Sequence, residues 1–447
     1  MRVDSRAVDQ AWQEELAEFL RIPSVSADPA HAADVVAAAE WLAAFVRKAG
    51  GGARLVPMGE RPLVVGEIPA STGAEDAPAV LLYGHFDVQP PAPLDQWESD
   101  PFELSVRDEW VYGRGIADDK GQLYALLKAA SLLAGEGRLP VNLRVACDGE
   151  EEVGGHSIVE FLEQDEQGAD ACVIFDSSMI RRGVPAFAVA TRGLAYLHLV
   201  LRTGSRDLHS GLYGGAALNA ATALAQTLAA VSARNGRLPE PLRKGLVPPT
   251  EEELRGWREL PPGADELADQ GARPVDPAAA DEFYVRTFAE PALDVNGIET
   301  GSPHLQKTVL PVVAEANVSI RIAPGQDVDE IAEALETLFR EAAPDGADLD
   351  VQRWSSSPAG LVSPDAKAIR LGLDAFERAL GTRPLLVRSG GTLPIVPALA
   401  DKGIPAVVTG FAVPDSNIHS PNERMLVEYL PLAVRAAAEL YEGLAGL

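Results

Sequence analysis

The stretch AVLLYGHFD, Ala79–Asp87, decides how this chain is read. A short apolar run that closes on Gly, His and Asp has the length and the ending of a buried strand with polar residues at its carboxyl end. VNLRVACDG (Val141–Gly149) and ACVIFD (Ala171–Asp176) read the same way, and DDKGQLYALLKAASLLAGEG (Asp118–Gly137) has the apolar spacing of a helix. Strand, helix, strand implies a largely parallel sheet, and hence an α/β fold.

Outward from this core the pattern changes near residue 188. ATRGLAYLHLVLRTG (Ala190–Gly204) reads as one long alternating strand, and AALNAATALAQTLAAVSARNG (Ala216–Gly236) as a helix closed by Gly236. TVLPVVAEANVSIRIAPG (Thr308–Gly325) reads as two strands or a bent hairpin, VDEIAEALETLFREAAP (Val328–Pro344) as a helix, and ADLDVQRW (Ala347–Trp354) as a last strand. The order βαββαβ suits a small sheet covered by two helices. Between Leu238 and Pro291 lies a Pro- and Glu-rich insertion, read as irregular. After about residue 358 the first pattern returns with PLLVR, PAVVTGF and a C-terminal helix from RMLVEYLPLAVRAAAELYEGLAGL. Two domains are therefore expected: residues 1–187 with 358–447, and an inserted domain over 188–357.

Composition excludes several function classes. The 447 residues carry 38 basic and 66 acidic side chains, a formal net charge of −28, which disfavours nucleic acid and anionic membrane surfaces as partners. MRVDSRAVDQAWQEELAEFL reads as an amphipathic helix without the apolar core of a signal peptide. DVVAAAEWLAAFVRKAGG, Asp34–Gly51, is too short and too polar to span a bilayer, so a cytosolic protein is expected. Cys147 and Cys172 sit in apolar runs and are expected to be buried free thiols.

In open α/β sheets ligands bind beyond the carboxyl ends of the strands. Four such ends are loaded here: His85 and Asp87, the glutamates Glu150 to Glu152, Asp176, and a loop leading to His419. Asp118 and Asp119 precede a helix in YGRGIADDKG. Singly, each has a plain structural reading, such as a cap, a turn residue or a hydrogen-bonded core histidine. Jointly, His, Asp and Glu from five segments at one rim are what a pair of divalent ions requires. Residues two apart on a strand point the same way, so Asp87 can orient the imidazole of His85. Alternation puts Glu150 and Glu152 on one face and Glu151 on the other, without choosing the face that meets a metal.

YGHFDVQP, YGRGIADDKG, EEVGG, IFD and IHSPNE, in this order, resemble the M20 family of dinuclear metallopeptidases. DLHSGLYGG, KTVLP and RSGGTLP are most similar to its dipeptidase branch, which includes carnosinase-like enzymes. The resemblance implies a zinc-peptidase-like catalytic domain with an inserted lid and dimerisation domain, and hydrolysis of dipeptides or very short peptides. It implies two divalent ions per subunit, Zn²⁺ first, with Mn²⁺ or Co²⁺ as alternatives. His85, Asp118 and Asp176 would hold one ion, and Asp118, Glu152 and His419 the other. Glu151 would be the general base acting on a metal-bridging water, Asp87 a catalytic partner of His85, and Asp119 structural, in a cis peptide. His209 would reach across a homodimer to the partner's site; Arg321 would bind a substrate carboxylate, with Thr308, Gly391 and Thr392 lining the same end. One departure stands out: Ser389 in RSGGT replaces the Glu that such dipeptidases often carry, which leaves recognition of a free α-amino group open. The nearest competing reading is an amidase of the same fold acting on N-acyl or N-succinyl amino acids; a metal-binding protein without catalysis is more distant. His156 is read as a surface residue at a helix start, and His304 as a possible pocket residue.

Overall fold

The structure is a computed structural model that describes residues 10–58, 61–391 and 393–447. In chain order its main elements are α1 (Gln10–Leu20), α2 (Ala32–Lys48), β1 (Gly52–Met58), β2 (Arg61–Ile68), β3 (Ala79–His85), α3 (Lys120–Gly135), β4 (Asn142–Asp148), α4 (His156–Gln164), β5 (Ala171–Phe175) and β6 (Ala186–Thr191). They continue with β7 (Gly193–Arg202), α5 (Ala220–Val231), α6 (Glu251–Trp257), β8 (Ala292–Glu299), β9 (Val313–Ile322), α7 (Val328–Ala342) and β10 (Asp348–Ser357). The chain ends with α8 (Lys367–Leu380), β11 (Leu385–Ser389), β12 (Ala406–Thr409) and α9 (Tyr429–Leu444). It divides into two compact units: one takes the described residues up to Val189 with Val362–Val387 and Pro394–Leu447, the other Ala190–Leu361 with Arg388–Leu393.

The sheet of the first unit runs β1-β2-β4-β3-β5-β12-β6, with β11 beside β6. Its four central strands are parallel. The strands flanking them are antiparallel, β2 against β4 on one side and β6 against β12 on the other. The largely parallel sheet expected from sequence is thus a mixed one with a parallel centre. The central strands are buried on both faces and mostly apolar: β5 is buried throughout and β3 and β4 nearly so, with Arg144 and Asp148 the charged residues of β4. Helix α9 packs on both α3 and α8, and the Tyr441 hydroxyl donates to the Leu126 carbonyl at 3.1 Å. Cys147 and Cys172 are free and buried in this core.

The second unit carries a four-stranded antiparallel sheet in the order β8-β9-β7-β10. Alternate residues Ala195, Leu197, Leu199 and Leu201 of β7 and Ala314, Ala316, Val318 and Ile320 of β9 form one buried cluster with α5 and α7. Sequence and structure agree on βαββαβ, but the second strand is Ala292–Glu299, which was not read; Thr308–Leu310 instead carries a two-residue strand pairing with Leu208 and His209. The alternating strand over Ala190–Gly204 is broken at Arg192, between β6 and β7. Helix α5 does not reach Gly236. It stops at Val231, and Asn235 and Gly236 take φ of 51° and 71° between Arg234 and Arg237, which bridge each other. Asn-Gly is the favoured pair for a two-residue turn of this handedness, so turn chemistry overrode the helical spacing. The insertion is also less irregular than expected, since Glu251–Trp257 and Gly263–Asp269 are helical.

Candidate metal centre

Six residues of the first unit meet beyond the carboxyl ends of its parallel strands. His85 is the last residue of β3, Glu151 and Glu152 form a single tight turn after β4, and Asp176 follows β5. Asp118 stands two residues before α3, and His419 is ten residues beyond the end of β12, with a φ of 59°. A non-glycine residue in the left-handed region is uncommon and marks a place where the surroundings dictate the backbone.

The geometry centres on Asp118. Its Oδ1 lies 3.0 Å from His85 Nε2 and its Oδ2 lies 2.9 Å from His419 Nε2. His85 Nε2 is also 3.9 Å from Asp176, and His419 Nε2 is 3.1 Å from Glu152 Oε2. Two triads result, His85–Asp118–Asp176 and Asp118–Glu152–His419, and within each the potential ligand atoms lie within 4.8 Å of one another. Asp118 belongs to both.

Asp87 does more than the strand alternation suggested. His85 Nδ1 lies 3.1 Å from the Asp87 carbonyl and 3.4 Å from its Oδ1. Its two carboxylate oxygens accept the backbone N–H groups of Glu151 and Glu152 at 3.2 and 3.1 Å. Buried Asp87 therefore orients His85 and fixes the turn that presents both glutamates. Asp119 follows Asp118 through a cis peptide, and its Oδ2 accepts the His85 N–H at 3.3 Å. Gly84 makes room for it, since a Cβ there would stand 2.7 Å from Asp119 Oδ2.

Burial and hydrogen bonding set the charges of the site. Burial pushes the Glu151 carboxyl up to about 8 and Asp176 up to about 7. For Asp118 burial acts in the same direction, but hydrogen bonds from His419 and His85 prevail and hold it well below the usual carboxylate range. Hydrogen bonds to Asp118 and Glu152 lift His419 to about 10. His85 is held well above its ordinary value by Asp118 and Asp87 although its burial works against the charge. Buried Glu152 Oε1 has no hydrogen-bond partner. Four carboxylates facing two imidazoles, with an acceptor left over, fit divalent cations, and this mixed N/O donor set is one that Zn²⁺ accepts.

The remaining expected residues belong to the second unit. His209 is exposed, and its Nδ1 accepts from the Gly211 N–H at 3.0 Å. Exposed Thr308 stands beside it, its carbonyl accepting from Ser210 at 3.0 Å. Arg321 is on β9, paired with Leu194 and Ala292. Gly391 is exposed, and its N–H donates to Ser389 Oγ at 3.1 Å. Thr392 lies outside the described residues. His156 is exposed at the start of α4, and His304 is exposed.

Sequence reasoning passed over Arg192. Its Nε donates to the Gly390 carbonyl at 3.2 Å and its own N–H to the Gly391 carbonyl at 3.1 Å. Burial, and then the charge of Arg321, press its guanidinium down to about 10. The signal available in the sequence is a charged residue followed by Gly193 inside an otherwise apolar alternating run. Arg388 was quoted only as part of a motif. It is buried with its Nε 2.7 Å from Glu253 Oε1, and it donates to the carbonyls of Val247 and Pro248.

A parallel-centred α/β sheet with a shared-carboxylate pair of triads at its strand ends defines a dinuclear metallohydrolase. The model of peptidase family M20/M25/M40 matches residues 81–443, and the chain belongs to that family. It is similar to a cysteinylglycine-S-conjugate dipeptidase of Corynebacterium striatum, 29% identical over 92% of this chain and 90% of that protein. It is also similar to the human Beta-Ala-His dipeptidase, 28% identical over 91% of this chain and 81% of that protein. Among solved structures, an M20 family metallo-carboxypeptidase from Sulfolobus solfataricus superposes with a TM-score of 0.82 at 26% identity, covering 98% of this chain and 99% of that one.

Proposed function

We propose that the chain is a metal-dependent dipeptidase in which Glu151 is the general base. The observation that carries the reading is Asp118, which turns one oxygen to each of two imidazoles and so joins two ligand triads. His85, Asp118 and Asp176 would hold one divalent ion, and Asp118, Glu152 and His419 the second. Ions bound there supply Lewis acidity and make water nucleophilic near neutral pH.

The chain's own groups do the rest. The Glu151 carboxylate takes a proton from the attacking water and returns it to the amine as the C–N bond breaks, leaving acid and amine products. Asp87 holds the backbone of Glu151, so the base enters at a fixed position relative to Glu152. Arg321 suits the carboxylate of a short peptide because its planar fork can donate twice. Its neighbour Arg192 adds positive charge at the same end of the second unit. The relatives named as dipeptidases favour peptides over N-acyl amino acids. Assay of the purified chain on dipeptides, N-blocked dipeptides and N-acyl amino acids tests this. Hydrolysis of free dipeptides that stops with chelator and returns with Zn²⁺ or Mn²⁺ is expected; turnover of blocked substrates alone would refute it.

We further propose a cytoplasmic homodimer in which His209 acts on the partner's substrate. In support, His209 is exposed and followed by Leu212 and Tyr213, 75% and 48% exposed, apolar surface that a partner subunit would cover. No described helix is long and apolar enough to cross a membrane. Mixing inactive His209→Ala with inactive Glu151→Ala should restore part of the activity through hybrid dimers. No recovery after proven subunit exchange counts against a trans histidine.

A further inference from the structure

One buried carboxylate of the first unit has no part in the chemistry described above. Glu423 is 0% exposed and stands four residues beyond His419. Its Oε1 accepts the N–H groups of Ala117 and Asp118 at 2.8 and 3.1 Å. Its Oε2 accepts the Gly115 N–H at 3.0 Å and Arg114 Nη1 at 2.7 Å. Its carbonyl accepts the Gly113 N–H at 3.1 Å. Arg114 returns the tie, since its Nη2 donates to the carbonyls of Ser420 and Pro90, each at 3.4 Å. Glu423 and Arg114 thus lace the loop that delivers Asp118 to the loop that delivers His419, across 305 residues of sequence between Asp118 and Glu423.

We infer that Glu423 is a positioning residue for the metal centre, setting the spacing between Asp118 and His419 before any ion binds. The chemistry of its partners requires a carboxylate. All four groups on its two oxygens are donors, and of the side chains of this length a carboxyl group offers an acceptor oxygen to both pairs. A glutamine would turn an NH₂ toward N–H donors on one side and free part of the Asp118 loop. Groups that hold metal ligands in place in this way cost about 10- to 100-fold in metal affinity or activity when lost.

The inference rests on Asp118 and His419 being ligands, and the experiment separates the two ideas. Metal-stripped protein is titrated with Zn²⁺ against a competing chromophoric chelator, giving the number of sites and the affinity of each. If the unaltered chain bound no Zn²⁺ stoichiometrically, or His419→Ala bound it unchanged, the ligand assignment would fail. With two sites in the unaltered chain, Glu423→Gln should weaken at least one by about 10- to 100-fold. Asp165→Asn, which breaks the Arg144 pair elsewhere in the unit, should lower the melting temperature and leave both affinities alone. Unchanged affinities in Glu423→Gln overturn the inference whatever its activity. Should Glu423→Gln not fold, Arg114→Met decides: it keeps the three amide contacts and removes the ties to Glu423 Oε2, Ser420 and Pro90, so a several-fold loss supports the inference and no loss overturns it.

Discussion

The metal centre of the first unit and the Arg192–Arg321 end of the second present the same electrostatic problem with opposite sign. In the first, burial above all, and then neighbouring carboxylates, push Glu151 and Asp176 upward. In the second, burial and a neighbouring arginine press a guanidinium downward, with Asp294 pulling the other way. Like charges gathered in a folded protein cost free energy unless something of opposite charge joins them. The gathered carboxylates of the centre fit cations, and Arg321 is the residue proposed above for a peptide carboxylate. The scaffolds differ accordingly. Parallel strand ends send separate loops to one spot and suit polydentate ligation, whereas an antiparallel strand such as β9 offers one side chain at a time.

The comparison can be broken most severely at Glu151. Glu151→Ala should lower kcat by about 100- to 10,000-fold, the usual worth of a positioned base, while elemental analysis still finds both metals. Glu152→Ala should lose one metal instead. Equal metal loss in the two variants would mean that the crowded glutamates do not divide their labour as proposed.

The next effect concerns stability. In the second unit Arg388 and Glu253 form a buried pair with both side chains 1% exposed. Glu253→Leu leaves the arginine's charge buried and unpaired, which should cost about 3–5 kcal/mol in denaturant unfolding. A loss below 1 kcal/mol would show that water reaches the site. Smallest is Arg321→Met, which should reduce kcat/KM for dipeptides by about 10- to 100-fold, mostly through KM, as expected for loss of a charge-assisted hydrogen bond. An unchanged KM would remove the anion from the second half of the comparison.

Much of the centre could be read before any coordinates because its geometry is written into strand ends. His85, Asp176 and the glutamates each follow an apolar run directly, and a strand's carboxyl end is where such a fold binds. The parallel centre followed from strand and helix alternation. What escaped was long-range or local in a way the alternation hides. Strand β8 is mostly exposed and carries Gly297 next to a register shift, so no apolar pattern marks it. The pairs Arg388–Glu253 and Asp118–Glu423 join residues 135 and 305 apart, and side-chain type alone names no partner. Gly236 misled because a helix stop and an Asn-Gly turn use the same residue.

Strand β12 comes late in the chain yet sits between β5 and β6, parallel to the first and antiparallel to the second. While the ribosome is still making residues before Ala406, β5 has an unfilled edge, open to whatever strand it meets. Chains emerge at about 5–20 residues per second, so this edge waits roughly 10–50 s after β5 appears. His419 arrives later still. The centre therefore cannot close until His419 has been made, well over two hundred residues after β5.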